Sequence, residues 1–199
     1  MARYERLLAK NRISVCSVCE GGMKQIRSGE YECVKCGNVE YDDFGKVRKY
    51  LEENGPQTKE KIILETGVSR EIVNEFLDKA KVFMFLTTDG DQPRGRPFGF
   101  HMLDDGKLYF GCGTYKNVFK QLSANPKVEV LAMNGTDFLR YDGTVKIVKD
   151  DALLAKVREV IPQIVEMYDR NGWEMGLFYL ENGHAEIGGL RGTTEEFDV

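Results

Sequence analysis

The spacing of hydrophobic positions changes near Ala80. Before this residue, apolar side chains recur every three to four positions in short segments such as 46–53. After it, short apolar runs are separated by turn dipeptides, among them Asp89-Gly90 and Asp105-Gly106. The first spacing is typical of amphipathic helices and the second of antiparallel strands. The pattern therefore predicts a helical part followed by a longer β part.

Helix boundaries in the first part are marked by capping residues and glycines. The segment 46–53 ends at Asn54-Gly55-Pro56, and Thr58 is placed to cap the next helix. A turn is predicted at Gly67, and Ser69 is predicted to cap a third helix that runs to Ala80. Helix, glycine turn and capped helix form the helix-turn-helix pattern, and residues 64–77 resemble bacterial segments of that kind.

The charges in this part of the chain do not favour DNA binding. Residues 1–80 carry 14 Lys+Arg and 14 Asp+Glu, so little free energy is available from releasing DNA counterions. The third helix offers Arg70 and Asn74 to a groove, but acidic residues stand among them. Nucleic-acid binding is therefore possible but not favoured. A module for protein contact or dimerisation is preferred, and a packed helical spacer is the third interpretation.

The β part predicts a small barrel. Further strands are expected at 128–134, 138–148 and 176–188, the last two containing Asp142-Gly143 and Asn182-Gly183. A short helix is expected at 115–124, and a longer one from Asp150-Asp151 that Pro162 kinks or splits. About six strands with two helices suffice to close a small antiparallel barrel.

Composition limits the class of protein. The 199 residues are 42% hydrophobic and 30% charged, which is ordinary for a globular chain. The longest clean apolar run, 82–86, is far shorter than the roughly 20 residues of a membrane span. The net charge of −4 disfavours wholesale binding to a phosphate backbone.

The first residues, MARYERLLAKNR, contain no apolar stretch of the kind that a secretory signal needs. We therefore expect a cytoplasmic protein. In that compartment thiols stay reduced, so the five cysteines are expected to be metal ligands or inert thiols rather than disulfides.

Four cysteines predict a zinc site in residues 1–42. Cys16, Cys19, Cys33 and Cys36 form two Cys-x-x-Cys pairs separated by 13 residues, with a hairpin predicted between them at Ser28-Gly29. Two such turns supply four sulfurs in a tetrahedron, the geometry that Zn²⁺ prefers. A structural ion is favoured because four cysteines leave no open coordination position, and a redox dithiol is the alternative. The stretch resembles a zinc ribbon.

The β part carries a series of motifs in a characteristic order. They are the segments 93–100 (PRGRPFGF), 106–110 (GKLYF), 116–122 (KNVFKQL), 124–128 (ANPKV), 139–143 (LRYDG) and 178–183 (FYLENG). On these motifs, residues 81–199 resemble the FMN-binding split barrel of the pyridoxamine 5′-phosphate oxidase-like superfamily, in the branch that includes NimA-like proteins. The resemblance implies an FMN-binding homodimer with flavin sites at the subunit interface. The fold expected is thus mainly β with α: an antiparallel split β-barrel (81–199) after a zinc ribbon (1–42) and a helix-turn-helix-like module (43–80).

The residues indicate where FMN would bind. A glycine-rich bend opens the helix predicted at 115–124, and a helix N-terminus favours an anion. Arg96 and Lys116 supply cations, and the resemblance implies that both bind the phosphate. The flavin ring is expected along the backbone at 97–99. The candidate flavin residues are Arg96, Pro97, Phe98, Gly99, Gly111, Cys112, Gly113, Thr114, Lys116 and Asn117.

Some of these residues have competing interpretations. Relatives usually have Thr and then Ser or Ala where Cys112 and Gly113 stand, and Thr114 is the candidate replacement for the lost hydroxyl. Cys112 is either a thiol beside the flavin or, preferably, a small buried hydrophobe. Trp173 could reach a flavin, but an anchor in the core or interface is preferred. His101 and His184 are expected to be ordinary packed or exposed histidines.

The function expected is redox chemistry. The sequence shows neither a paired acid and base nor a Gly-x-Ser-x-Gly nucleophile motif, as expected where flavin does the chemistry. We predict an oxidoreductase that passes electrons from reduced FMN to a small acceptor of the nitro or quinone type. True pyridoxamine 5′-phosphate oxidase activity is not expected, because the tail GGLRGTTEEFDV lacks that enzyme's arginine-rich end. The alternatives are a redox-responsive regulator and a storage protein for FMN or haem.

Overall fold

The computed structural model describes residues 12–199, apart from the side chains at 59, 60 and 64. The expectation about a secretory signal concerns the first residues and lies almost wholly outside this range. The chain forms two compact units that divide between Val68 and Ser69. The predicted three-part division at residues 42 and 80 stays a prediction.

A three-stranded antiparallel sheet in the order β1-β2-β3 opens the first unit. The turn predicted at Ser28-Gly29 joins β1 to β2 and is confirmed. The elements of this unit are β1 (Met23–Arg27), β2 (Glu30–Cys33), β3 (Val39–Tyr41), α1 (Asp43–Asn54) and α2 (Lys59–Thr66).

The amino end of α1 is fixed to the β1–β2 turn by Asp42. One carboxylate oxygen of Asp42 accepts the Gly45 N–H at 3.0 Å and so caps the helix. The other accepts the buried Tyr31 hydroxyl at 3.0 Å, while the Asp42 N–H donates to the Gly29 carbonyl. A Cβ at Gly45 would overlap that same carbonyl, so glycine is required for this close approach.

The capping predictions around α2 have mixed outcomes. Thr58 caps α2 by accepting the Lys61 N–H, and Gly67 ends it in the left-handed conformation at φ 73°, both as predicted. The next helix, α3 (Val68–Ala80), begins one residue too early for Ser69 to cap it. Ser69 is instead fully buried inside the first turn, and its hydroxyl has no partner in residues 12–199. The helix-turn-helix interpretation stays a prediction.

The second unit is built on one antiparallel eight-stranded sheet. Its strands are β4 (Phe83–Asp89), β5 (Gln92–Phe98), β6 (His101–Asp104), β7 (Lys107–Gly113), β8 (Lys127–Asn134), β9 (Asp137–Val148), β10 (Met175–Gly189) and β11 (Gly192–Asp198). They pair in the order β5-β4-β8-β9-β10-β7-β6, with β11 on β10. The estimate of about six strands was too low, chiefly because the tail strand β11 is mostly polar.

The two longest strands contain the Asp-Gly and Asn-Gly dipeptides. Gly143 of β9 lies opposite Asn182-Gly183 of β10, where the pairing register shifts between Glu181 and His184. A Cβ at Gly143 would come within 3.0 Å of Leu180 and 3.1 Å of the Glu181 carbonyl. β10 thus carries a β-bulge at Asn182-Gly183, and neither strand ends at its dipeptide.

Aromatic side chains fill the inside of the sheet. Phe83, Phe85, Phe110 and Phe178 are at most 1% exposed and meet edge-to-face or stacked, with ring centroids 5.5–6.0 Å apart. This packing joins β4, β7 and β10, which are far apart in sequence.

Four helices belong to the second unit: α3, all but its first residue, and then α4 (Asn117–Ala124), α5 (Asp151–Val160) and α6 (Pro162–Asn171). The split predicted at Pro162 is confirmed, since this proline starts α6. Leu153, Val157 and Val165 of α5 and α6 pack with Tyr109 and Leu177 of the sheet. In the part of the chain with assigned structure, no helix is long and apolar enough to cross a membrane.

Candidate functional site

The four predicted metal ligands come together. The sulfurs of Cys16, Cys19, Cys33 and Cys36 all lie within 4.8 Å of one another. Cys16 and Cys36 are 3.7 Å apart, Cys19 and Cys33 3.5 Å, and Cys19 and Cys36 3.3 Å. Ligands ~2.3 Å from a tetrahedral Zn²⁺ stand about 3.8 Å apart, so this cluster fits one zinc ion.

Backbone amides favour the thiolate at Cys33. Hydrogen bonds from the backbone of Cys36 and Lys35 lower the pKa of Cys33 to about 6, with the Cys36 amide as the largest cause. Hydrogen bonding with Cys36 instead raises the pKa of Cys19 to about 12. Metal binding requires thiolates, so a bound cation would displace the protons of these thiols.

The backbone next to the sulfurs leaves no spare room. A Cβ at Gly21 would lie 2.8 Å from the Lys35 Cβ and 2.9 Å from the Cys33 sulfur. Gly22, the next residue, has only a Val34 methyl within reach, at 3.9 Å. The four-sulfur set and this tight turn fit a structural metal, because no coordination position stays open for a substrate.

The predicted flavin residues lie on two strands and one helix start. Arg96, Pro97 and Phe98 end β5 and Gly99 follows, while Gly111, Cys112 and Gly113 end β7. Thr114 lies in the following turn, Lys116 is the N-cap of α4, and Asn117 is its first residue.

The Cys112 thiol is buried within the candidate site. Burial raises its pKa to about 11, and the positive charges of Lys116 and then Arg96 oppose this rise. The Cys112 side chain is 5% exposed. This burial agrees with the preferred interpretation of Cys112 as a small hydrophobe, since its thiol stays protonated at neutral pH.

Arg96 is held by neutral partners. Its Nη1 donates to the Thr87 hydroxyl at 2.7 Å, and its Nη2 donates to the Gln121 side-chain oxygen at 2.7 Å. The Thr87 hydroxyl donates in turn to the same Gln121 oxygen at 2.8 Å. Burial, followed by the charge of Arg94, lowers the pKa of Arg96. Among residues 12–199 no carboxylate pairs with this guanidinium, which leaves a half-buried cation suited to an anion.

The amino end of α4 also suits an anion. No side chain caps it, because Lys116 occupies the N-cap position without a capping hydrogen bond. The Lys116 ammonium lies 5.9 Å from the ring centroids of both Tyr115 and Tyr168 and forms no ion pair in the described part of the chain. Phe119 fixes the helix against β10, at a place where a Cβ on Gly176 would overlap its ring.

The backbone expected to meet the flavin ring lies on an end strand. β5 is the last strand of the sheet order and pairs with β4, so its other edge is available for hydrogen bonds. The Phe98 side chain turns inward and stacks on Phe85 at 4.9 Å, whereas Pro97 and Gly99 are exposed.

Thr114 and Trp173 have partners within the chain. The Thr114 N–H donates to the Glu174 carbonyl at 3.0 Å, and its hydroxyl approaches the same oxygen at 3.4 Å. Trp173 packs 4.8 Å from Tyr115 and edge-on to Tyr168 and is 39% exposed, so its role as an anchor stays a prediction. These contacts join the turn at 114–115 to the loop at 173–174, next to Lys116.

Sequence reasoning missed Thr87 and Gln121. The hairpin at Asp89-Gly90 pairs Phe85 with Arg96, which places Thr87 on the same face of the sheet. Gln121 lies one helical turn after Asn117. The hairpin register and the helical spacing can be read from the sequence, but only the tertiary fold brings Thr87 and Gln121 to the Arg96 guanidinium.

One cavity of about 460 Å³ lies elsewhere in the second unit. It is lined by Asp104, Asp105, Tyr109, Asp150, Ala152, Leu153 and Lys156. Three carboxylates against one lysine disfavour a phosphate, and none of the predicted flavin residues lines this cavity.

An antiparallel barrel with helices and a cationic corner defines a split-barrel protein. The family model "Pyridoxamine 5′-phosphate oxidase" matches residues 69–184, more than half of the chain. The chain therefore belongs to the pyridoxamine 5′-phosphate oxidase family. The match begins at the first residue of the second compact unit.

Solved structures agree with this assignment. A NimC/NimA family protein from Clostridium acetobutylicum is 32% identical with a TM-score of 0.61, over 66% of this chain and 94% of that chain. A pyridoxamine 5′-phosphate oxidase-related, FMN-binding protein from Nostoc punctiforme is 16% identical with a TM-score of 0.45, over 64% and 87%. The haem storage protein HutZ from Vibrio cholerae is 16% identical with a TM-score of 0.46, over 63% and 93%. The last two likenesses carry no argument about function, and no curated protein matches the chain significantly.

Proposed function

We propose that this protein binds FMN and passes electrons from the reduced flavin to a small acceptor of the nitro or quinone type. The observation that carries the proposal is Arg96, which has no carboxylate partner in residues 12–199 and donates a hydrogen bond to Gln121 of α4, the helix whose uncapped start carries Lys116. A dianionic phosphate monoester is the complement of two such cations and a helix N-terminus.

Each group has a distinct role in this proposal. Arg96 and Lys116 bind the phosphate together with the first N–H groups of α4. The free edge of β5 at Pro97–Gly99 meets the polar edge of the ring. Zn²⁺ on the four cysteines holds the first unit in its fold and takes no part in electron transfer.

The chemistry comes from the cofactor. Bound FMN supplies transfer of hydride or single electrons. The residues assigned to the site contribute binding and orientation, and Cys112, the thiol among them, stays protonated at neutral pH. A second copy of the chain is the proposed partner, as the family resemblance implies, and exposed apolar side chains such as Val160, Ile164 and Met167 are available for such an interface.

The test starts from the purified full chain. We expect a flavin absorbance spectrum, one zinc per chain by metal analysis, and quenching of FMN fluorescence when the flavin-free protein is titrated. Dithionite or NAD(P)H should bleach the bound flavin, and a nitro compound or quinone should restore its colour. A Soret band instead of a flavin spectrum would replace the proposal with haem binding, and a reduced flavin that no acceptor reoxidises would remove the oxidoreductase.

A further inference from the structure

Three hydrogen bonds join Arg96, Thr87 and Gln121 in a closed ring. Arg96 donates to Thr87 and to Gln121, and Thr87 donates to Gln121, at 2.7, 2.7 and 2.8 Å. The Thr87 hydroxyl accepts one bond and donates another, so its only O–H donor is used. Thr87 is 4% exposed, which protects the ring from competing water.

The ring fixes the orientation of the Gln121 amide. Its carbonyl oxygen accepts two donors, and exchanging oxygen for nitrogen would set N–H groups against N–H groups. The guanidinium plane is then held at two points. Of the five N–H donors of an arginine, three have no partner in the described chain and are available to a ligand.

Neutral partners orient Arg96 without cancelling its charge. A glutamate at position 121 would fit the same space and accept the same two hydrogen bonds, but it would form an ion pair with the guanidinium. The chain instead has an amide there and a hydroxyl at Thr87. These two partners therefore orient the Arg96 guanidinium without neutralising its positive charge.

We propose that Thr87 and Gln121 are positioning residues that aim Arg96 at the terminal phosphate of the flavin and keep its charge available. The site thereby selects FMN over riboflavin, which lacks the phosphate. This inference rests on the proposed FMN function. It adds two residues to the site and assigns the specificity for the phosphorylated cofactor to them.

The decisive variant is Gln121→Glu in the full chain freed of flavin. FMN and riboflavin are titrated separately by fluorescence quenching. FMN affinity should fall about tenfold or more because the new ion pair occupies Arg96, whereas riboflavin affinity should stay within about twofold. The melting temperature should stay the same or rise. A purely structural role for Gln121 predicts instead that the loss of FMN binding is accompanied by a lower melting temperature. Gln92→Glu adds the same charge at the exposed start of β5 and should change neither ligand.

Variants of Thr87 test the same proposal independently of Gln121. Thr87→Val keeps the shape but removes both hydrogen bonds, and it should lower FMN affinity more than riboflavin affinity. Thr87→Ser restores the hydroxyl and should restore the preference for FMN. A purely structural threonine would weaken both ligands equally.

The possible results separate the two proposals. A wild-type chain that binds neither FMN nor riboflavin overturns the flavin function and this inference with it. A wild-type chain that prefers FMN, with the preference unchanged in Gln121→Glu, overturns the inference alone. Equal losses for both ligands in the Gln121 and Thr87 variants also overturn it, because they would assign these residues to packing.

Discussion

The two compact units assemble their sites in opposite ways. The first gathers four sulfurs from 21 consecutive residues, with two turns and one hairpin between them. The second brings Thr87, Arg96 and Gln121 together from two paired strands and a helix. A metal site of the first kind can be identified from spacing, whereas an anion site of the second kind depends on sheet register and helix placement.

The largest effect should come from breaking the metal site. Cys33→Ser should abolish the stoichiometric zinc measured by metal analysis and unfold the first unit, because the binding free energy of a structural zinc is its folding free energy. Amide NMR spectra should lose the signals of residues 12–67 while keeping those of the barrel. Cys112→Ser, which changes a buried thiol of the second unit, is the matched control and should keep the zinc. Full zinc retention in Cys33→Ser would contradict the four-sulfur site.

Arg96→Ala should have the next largest effect. Removing a cation that makes charge-assisted bonds to the phosphate should weaken FMN binding about a hundredfold, measured by fluorescence titration. Arg94→Ala removes a neighbouring arginine that is half exposed and pairs with Asp89 at 3.5 Å, and it should change the affinity less than about threefold. Similar losses in both variants would mean that the general charge of the hairpin, and not Arg96, attracts the flavin.

Gly21→Ala should weaken the zinc site without removing a ligand. The new Cβ would press on the Lys35 Cβ and the Cys33 sulfur, so the turn must shift. We expect a zinc affinity lower by about tenfold, the range typical of changes just outside the ligand shell, in a competition titration with a chromogenic chelator. Gly22→Ala places its Cβ in nearly open space and should keep the wild-type affinity. Equal affinities in the two variants would refute this packing argument.

The smallest expected effect concerns Tyr31. Tyr31→Phe should cost the zinc-loaded chain about 1 kcal/mol at neutral pH, because the hydroxyl donates to Asp42 in a buried site. Burial, followed by that hydrogen bond, raises the pKa of Tyr31 above its ordinary value of 10.0. This stabilisation is therefore complete below about pH 10 and is lost as the pH rises through the higher folded-state pKa. Denaturant unfolding of both chains across this range checks the effect, and a difference that grows with pH would contradict it. Tyr50→Phe serves as the control.

The sequence predicted what is decided locally. The cysteine cluster, the turn at Ser28-Gly29, the caps at Thr58 and Gly67 and the helix break at Pro162 all depend on a few neighbouring residues. Ser69 was misjudged because tertiary burial places it inside α3. The polar strand β11 was missed because pairing with β10, and not its own hydrophobicity, makes it a strand.

The candidate flavin site was predicted only in part. Arg96 and Lys116 were found through motifs that resemble a family, and the structure bonds Arg96 to Gln121 of α4, the helix for which Lys116 is the N-cap. Thr87 lies in none of these motifs, and Gln121 lies in the segment 116–122 but was not singled out, since a threonine in a strand and a glutamine in a helix are unremarkable alone. Their significance arises when the β4–β5 register and the packing of Phe119 on β10 bring them to the same guanidinium.

The attachment of α1 to the β1–β2 turn has a consequence for the cell. A helix of 12 residues is marginal in water by itself, and Asp42, Tyr31 and Gly45 anchor this one to a hairpin held by the cysteine turns. If the four cysteines hold zinc as proposed, loss of the metal removes that anchorage, and the outward face of α1 is lost as an organised surface. Anything that recognises this face would thus report on metal supply as well as on the presence of the protein.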